Sequence, residues 1–302
     1  MTGQSASGSA VPTQLAVHAC AKINLFLRVT GRRADGYHEL DSVFLPVSVV
    51  DGVSVEMRAT ETAGVALECD VMELSHGRNL AARAAHHFLD EFGVKAQVLI
   101  ELEKHIPAGA GLGGGSSDAG AVLRMMAQMA GIDAPDRLRK IATALGADIP
   151  YFLDPRPARV RGIGEIIEPM DAIPHLPIVI AVPPFEVSTS EIFKALPEHD
   201  WSGPAPDRDL AAISCGEISQ AILVNDLAAV AIEKFPEIGR LKSMLQDYGA
   251  RAAQMSGSGG AVFGVFASDT EAEEAAAKLS QRARFAAVTA ASTLDAAAAG
   301  GG

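Results

Sequence analysis

The sequence predicts an α+β fold in two units, and three observations carry that expectation. The chain has 302 residues, about twice a common domain length of ~150. Apolar residues switch between a spacing of two and a spacing of three to four, with strands and helices in runs rather than in strict alternation. A proline-richer stretch near residues 155–177 marks a crossing from one unit to the next. With 48% hydrophobic and 21% charged residues, the composition supports packed cores rather than disorder. We therefore expect a tail over 1–11, an N-terminal domain over 12–170, a C-terminal domain over 171–292 and a flexible tail over 293–302.

In chain order, the β-rich patterns of 14–30 and 42–58 read as strands, the latter around Asp51-Gly52. Residues 79–92 carry apolar side chains at helical spacing and stop at Gly93. Alternation over 96–103 predicts a strand. A glycine loop over 107–115 leads to Ser116, Ser117 and Asp118, which are good N-cap formers ahead of an apolar helix over 119–130. A second helix over 135–145 ends at Gly146 and delivers Asp148. A hairpin follows. The second unit reads as strand (178–182), helix (188–196), a polar loop, two or three helices within 207–248, strands (251–255, 261–266), helix (270–282) and strand (285–289).

Acidic residues outnumber basic ones, 37 to 25, for a net charge of −12. That balance argues against nucleic acid or an anionic membrane as a partner, because both need a basic footprint. It leaves room for a small polyanion held by local donors. Three cysteines far apart (Cys20, Cys69, Cys215) fit a reducing compartment, so a cytoplasmic protein is expected. No apolar run reaches the roughly 18–20 residues of a membrane helix, and neither end has a signal-peptide layout.

The strongest motif is Pro107-Ala108-Gly109-Ala110-Gly111-Leu112-Gly113-Gly114-Gly115-Ser116-Ser117-Asp118. Glycines let backbone N–H groups turn inward and approach a ligand, and a helix start behind them favours negative charge. The motif reads as a phosphate cradle. Gly109, Gly111 and Gly114 also satisfy G-x-G-x-x-G, but a dinucleotide site needs a second strand ending in an acid about twenty residues on. Here that region is helical. No lysine follows the glycines as in a Walker loop. A second cluster, Ser256-Gly257-Ser258-Gly259-Gly260, lies between two apolar strands and could close the site from the other side. Lys22 and Asn24 stand two apart in an apolar strand and share a face. A buried lysine needs a partner, and Asp148, held at a helix exit before Ile149-Pro150, is a candidate. Cys20 reads as a small buried residue, and the neighbours His86 and His87 as surface residues on different faces of a helix.

Taken together, Ala21-Lys22-Ile23-Asn24-Leu25, the loop over 107–117 and Ser256 to Gly260 resemble the three signatures of the GHMP small-molecule kinases. Arg33-Ala34-Asp35-Gly36-Tyr37-His38 and Leu145-Gly146-Ala147-Asp148-Ile149-Pro150 resemble a branch whose acceptor alcohol carries cytidine diphosphate. The likeness covers about 17–290. It implies a ribosomal-protein-S5-domain-2-like N-terminal domain and a ferredoxin-like C-terminal domain, with substrates meeting between them. The implied reaction moves the γ-phosphoryl of ATP, with Mg²⁺, to the 2-hydroxyl of a cytidine-diphosphate-linked methylerythritol, in non-mevalonate isoprenoid synthesis. Asp148 carries over as the base and Lys22 as the cation beside it. The glycine loop, Asn79, Leu80 and Lys104 carry over to ATP, with Ser117 as a phosphate or metal contact. Asn24, Tyr37, His38, Thr189, Phe193, Gly257, Ser258 and Gly259 carry over to the acceptor, with Tyr37 and Phe193 facing each other across the base. As isolated residues, Asn79 reads as a helix start, Lys104 as a solvated charge and Phe193 as core. A monomer or homodimer is expected. The rival readings are a kinase of mevalonate, homoserine or a sugar, whose substrates carry no base, and an inactive nucleotide-binding regulator.

Overall fold

The computed structural model describes residues 13–171, 173–281, 285 and 287–300. The tail expected over 1–11 lies outside the described residues. Two long strands, β1 (Gln14–Arg32) and β2 (His38–Ala59), pair antiparallel and form the spine of a six-stranded sheet. β2 pairs β4 (Ala96–Glu103) along its second half and β5 (Ala158–Gly162) along its first, with β3 (Gly64–Cys69) and β6 (Ile166–Pro169) at the edges. The β3–β4 pair is parallel. Three register shifts interrupt β1 against β2, and those after Cys20 and Asn24 bracket the Lys22 segment. Such bulges re-aim side chains locally.

Helices α1 (Leu80–Phe92), α2 (Gly114–Ala130) and α3 (Pro135–Leu145) cover one face of this sheet through an apolar cluster that includes Val55, Ile100, Phe88 and Met126. α1 stops at Gly93 in a left-handed cap, and α3 begins on a proline and ends at Gly146, as expected. α2 departs from expectation. It starts at Gly114 with Gly113 as N-cap at φ 76° and no side-chain cap, so Ser116, Ser117 and Asp118 lie inside the helix rather than ahead of it. The left-handed Gly113 makes the turn that the hydroxyl and carboxylate side chains had been assigned to make.

A second sheet is wholly antiparallel, in the order β10 (Ala287–Ser292), β7 (Pro177–Val182), β9 (Val262–Val265), β8 (Ala252–Met255). Five helices accompany it: α4 (Thr189–Ala195), α5 (Asp207–Ser214), α6 (Ala228–Lys234), α7 (Pro236–Asp247) and α8 (Asp269–Ser280). Ala21, Ile23 and Leu25 of β1 pack on Ile178, Ile180 and Phe263 of the second sheet. The alternation of β1 thus buries its odd positions between the sheets and presents Lys22 and Asn24 on the other side. Residues 293–300 are not a loose tail. Leu294 N donates to Pro46 O at 2.9 Å, Arg124 Nη1 donates to Gly300 O at 2.6 Å, and Ala299 of the short helix α9 (Ala296–Ala299) is fully buried. The flexible tail expected over 293–302 is thus replaced, over the described residues, by a segment seated on the first sheet.

Candidate active site

Two cavities flank the glycine loop. The larger, about 790 Å³, is lined by Lys22, Asn24, Tyr37, His38, Gly111, Ser116, Asp148, Thr189, Phe193, Gly257 and Ser258, which gathers most of the expected site residues. Lys22 is 3% exposed. Its Nζ donates to Asn24 Oδ1 at 2.7 Å and to Gly111 O at 3.0 Å, lies 3.4 Å from Asp148 Oδ2, and sits 4.8 Å over the Phe44 ring. A buried ammonium with three oxygen partners and an aromatic face is compensated. Asp148 is half-buried at the start of a 3-10 turn after α3, held there by Pro150. Asn24 is fixed in turn: Nδ2 donates to Ser42 Oγ at 2.9 Å, and its backbone N–H donates to Ser256 Oγ at 3.2 Å.

The glycine loop is stapled down at alternate positions. Ala110 and Leu112 are buried, and between them Gly111 (φ 82°) passes against the second glycine cluster. A Cβ on Gly111 would strike Ser256 O, and one on Gly259 would strike the Ala110–Gly111 backbone. Lys22 N donates to Leu112 O at 2.9 Å and Ala261 N to Ala110 O at 3.0 Å, so the loop bridges both units. With no side-chain cap on α2, the first N–H groups of that helix remain available to an anion. Thr189 Oγ1 shares a 2.8 Å hydrogen bond with Ser258 Oγ, tying α4 to the second cluster.

At the far end of the cavity the imidazole of His38 stacks on Phe193 (5.3 Å between centroids, 29° between planes), while Tyr37 is exposed. Phe193 is a wall of the cavity rather than core, and its ring rests on His38, a contact the sequence reading did not foresee. Burial, and then the charge of Arg32, hold the His38 pKa below its ordinary value. Its neutral form then offers one donor and one acceptor.

On the nucleotide side, Lys104 and Ser117 are placed otherwise than their isolated readings suggest, while Asn79 opens α1 as expected. Lys104 is not a solvated charge. It is buried between Asp51, with which it forms a close ion pair, and Asp118 at 2.6 Å, and the two carboxylates hold its pKa up against burial. Burial, added to by the nearby Asp51 charge, pushes the Asp118 carboxyl up to about 7 despite Lys104. Asn79 spends its side chain on the fold, accepting from Ala81 N at 2.9 Å and donating to Leu74 O at 3.0 Å. Leu80 packs toward Gly115. Ser117 is buried and donates to Cys20 O at 2.7 Å, so Ser116, not Ser117, faces the large cavity. The second cavity, about 570 Å³, brings together Lys104, Pro107 and Ala108 with apolar walls that include Val71, Leu74 and Phe185. Cys20 is buried and its thiol is pushed up to about 12 by burial, which removes it as a nucleophile. His86 and His87 are exposed.

Residues 79–154 match the family model described as GHMP kinases N terminal domain, and residues 207–284 match GHMP kinases C terminal. A 4-diphosphocytidyl-2-C-methyl-D-erythritol kinase of Syntrophotalea carbinolica is 40% identical over 268 residues, 87% of this chain and 94% of that protein. One from Geobacter metallireducens is 39% identical over 268 residues, 87% of this chain and 92% of the other. The chain belongs to the 4-diphosphocytidyl-2-C-methyl-D-erythritol kinase family. A crystal structure of 4-(cytidine 5'-diphospho)-2C-methyl-D-erythritol kinase superposes with a TM-score of 0.78 at 36% identity, covering 92% of this chain and 99% of that one. A homoserine kinase from Cytophaga hutchinsonii shares the fold at 18% identity, with a TM-score of 0.72 over 97% of this chain and 98% of that one.

For this kinase chain, several residues that build the site carried no sequence signal. Ser42 positions Asn24 from β2, opposite Ser256 of the second glycine cluster. Asn225 is buried and donates to Met255 O (2.9 Å) and Gly257 O (2.8 Å), which holds the second glycine cluster in place. These are long-range polar contacts, and no local spacing announces them. Trp201 lines the cavity directly after the 3-10 turn Glu198–Asp200 that follows α4. As the chain's one tryptophan, it was the single cue available.

Proposed function

We infer that this chain transfers the γ-phosphoryl of ATP to the 2-hydroxyl of 4-(cytidine-5′-diphospho)-2-C-methyl-D-erythritol, giving the 2-phosphate and ADP in the non-mevalonate route to isoprenoids. The observation that carries this reading is the Lys22–Asp148 pair, 3.4 Å apart, in a cavity that also holds Tyr37, His38 and Phe193 and abuts the start of α2. Phosphoryl transfer rests on positioning and on charge stabilisation along an in-line path. The acceptor oxygen forms a bond to the γ-phosphorus while the bond to the bridging oxygen of ADP breaks. Asp148 takes the hydroxyl proton, and Lys22, oriented by Asn24 and Gly111 O, stabilises the alkoxide and the migrating group. The N–H groups at the start of α2 hold the phosphates, and the second cavity, with Lys104, Pro107 and Ala108, takes the nucleoside. Lys104 acts there from within its ion pairs, as a shaped wall rather than a free cation.

Among the described residues there is no cluster of three or more His, Cys, Asp or Glu side chains that could cage a metal. Mg²⁺ keeps several waters and binds largely through substrate phosphates, so it needs no such cluster. Ser116, which lines the large cavity in the first turn of α2, is the protein oxygen that would hold it, and its charge would offset that of ATP. No described helix is long and apolar enough to cross a membrane. The three widely spaced cysteines and the need for ATP support a cytoplasmic location.

The neutral His38 beside Phe193 and Tyr37 reads the edge and face of the cytosine, a feature that mevalonate, homoserine and sugar kinases do not require. ADP release should be measured with the cytidine-bearing alcohol, mevalonate, homoserine and a hexose under one set of conditions. Turnover with the first alone supports the assignment. Turnover with another acceptor and none with the first overturns it.

A further inference from the structure

Trp201 stands apart from every motif in the sequence, yet its indole meets the His38 imidazole edge to face, 5.7 Å between centroids at 86°. Phe193 covers a face of the same imidazole. An edge contact together with a face contact fixes both the tilt and the rotation of a ring, because each alone leaves one angle free. The segment that carries Trp201 is anchored accordingly. Ser202 donates from its backbone N–H (2.9 Å) and its hydroxyl (2.5 Å) to the Asp226 carboxylate, which also accepts from Val29 N at 2.7 Å. Gly203 N donates to Val29 O at 3.1 Å, and Ala205 N donates to Asp41 Oδ2 at 2.7 Å, a carboxylate also gripped by Arg159. The loop after α4 is therefore clamped to β1 and β2, the strands that frame His38. Its indole packs on the apolar cluster that includes Leu27, Val29 and Ile192 and also lines the cavity, and its Nε1 is buried without a hydrogen-bond partner. An orphaned buried donor has a cost, and orientation of His38 is the function that offsets it.

We propose that Trp201 is a positioning residue for nucleobase recognition, acting through His38 to hold the imidazole at the angle that reads the cytosine edge. The proposal rests on the assignment of the cytidine-bearing alcohol as acceptor. It adds that specificity for the base depends on a residue of the α4–α5 loop that acts on another residue and not on the base itself. Discrimination among bases that differ in their hydrogen-bonding edge depends on fixed donor and acceptor directions, so a free imidazole recognises cytosine and uracil more evenly than a held one.

The test compares Trp201→Phe, Trp201→Leu and the wild type. Trp201→Phe keeps an aromatic edge and is expected to stay within about threefold of wild type in every constant. Trp201→Leu keeps apolar volume without the ring, and is expected to raise the acceptor KM about tenfold, the usual scale of lost ring orientation. Its ATP KM should stay within twofold, and its preference for the cytidine acceptor over a uridine analogue should fall by a similar factor. A general packing defect would instead lower kcat and both KM-derived efficiencies together. An unchanged acceptor KM and base preference in Trp201→Leu would overturn the proposal. Because the chain has one tryptophan, wild-type fluorescence during CMP titration provides a measurement that needs no variant. A saturable change supports a base beside His38 and Trp201. No change at saturating CMP would overturn the base's placement itself, a failure distinct from that of Trp201 alone.

Discussion

Replacing Gly111 by alanine probes the closest approach in the site. At φ 82° the left-handed backbone costs a residue with a Cβ about 1–2 kcal/mol. The new Cβ would also strike Ser256 O and lie 3.0 and 3.1 Å from Gly259 N and Cα. All three are backbone atoms and cannot rotate aside, so the loop must retreat by roughly 0.5–1 Å to restore ordinary contact. That retreat moves Gly111 O, which accepts from Lys22 Nζ at 3.0 Å and from Ser256 Oγ at 3.2 Å. A displacement of ~1 Å near reacting groups costs about 10² in rate. The expected result is a kcat about 10²-fold lower, with a lowered Tm. Gly131→Ala supplies the control: φ is 62° with nothing within 4 Å of the added Cβ, so it carries the strain without the clash and should keep native kcat. A Gly111→Ala enzyme with native kcat, or a Gly131→Ala enzyme with an equal loss, would refute the reasoning.

Lys22→Met removes the buried cation while keeping most of its length, and kcat should fall by about 10²–10³, the scale for losing one transition-state donor; steady-state kinetics at saturating substrates reads it. Acceptor KM should be flat down to pH 6.5, the ordinary value for His38, and rise only as pH falls through the lower value that burial and Arg32 impose in the folded enzyme. There protonation turns the accepting nitrogen into a donor. The sign for folding is the same: the depressed folded pKa means that the unfolded chain binds the proton more readily, so this contribution is present above 6.5 and lost as pH falls through the folded value. Asn225→Ala strips partners from the carbonyls of Met255 and Gly257 and from Leu227 N. It should cost about 2–3 kcal/mol in denaturant melts, with a loss of activity beyond what the unfolded fraction explains.

Much of this architecture is legible from local pattern. The stops at Gly93 and Gly146 and the strand over 96–103 follow from capping and alternation, because the forces that shape them act within a few residues. Lys22, Asn24, Asp148 and the glycine clusters are readable because each is costly in its place unless it serves a site. The misreadings share another cause. Ser117 resembles a cap, but Gly113 supplies the turn and the hydroxyl finds Cys20 O. Lys104 looks solvated because its partners Asp51 and Asp118 stand 53 and 14 residues away. Strand β3, for which no strand was expected, is an edge strand with no fully buried position, paired in parallel. The run of alanines after Asp295 carries no periodicity, yet Ala299 is buried in a cluster with Cys20, Phe44 and Tyr151.

The central claim is that Asp148 takes the acceptor proton beside Lys22, and Asp148→Asn tests it most directly. This substitution preserves shape and removes the carboxylate. Kinetics with the cytidine-bearing alcohol, together with an independent ATP-binding titration, should show kcat at least about 10²-fold lower and an ATP Kd within about twofold of wild type. Turnover at the native rate would contradict the assignment of Asp148 as the base.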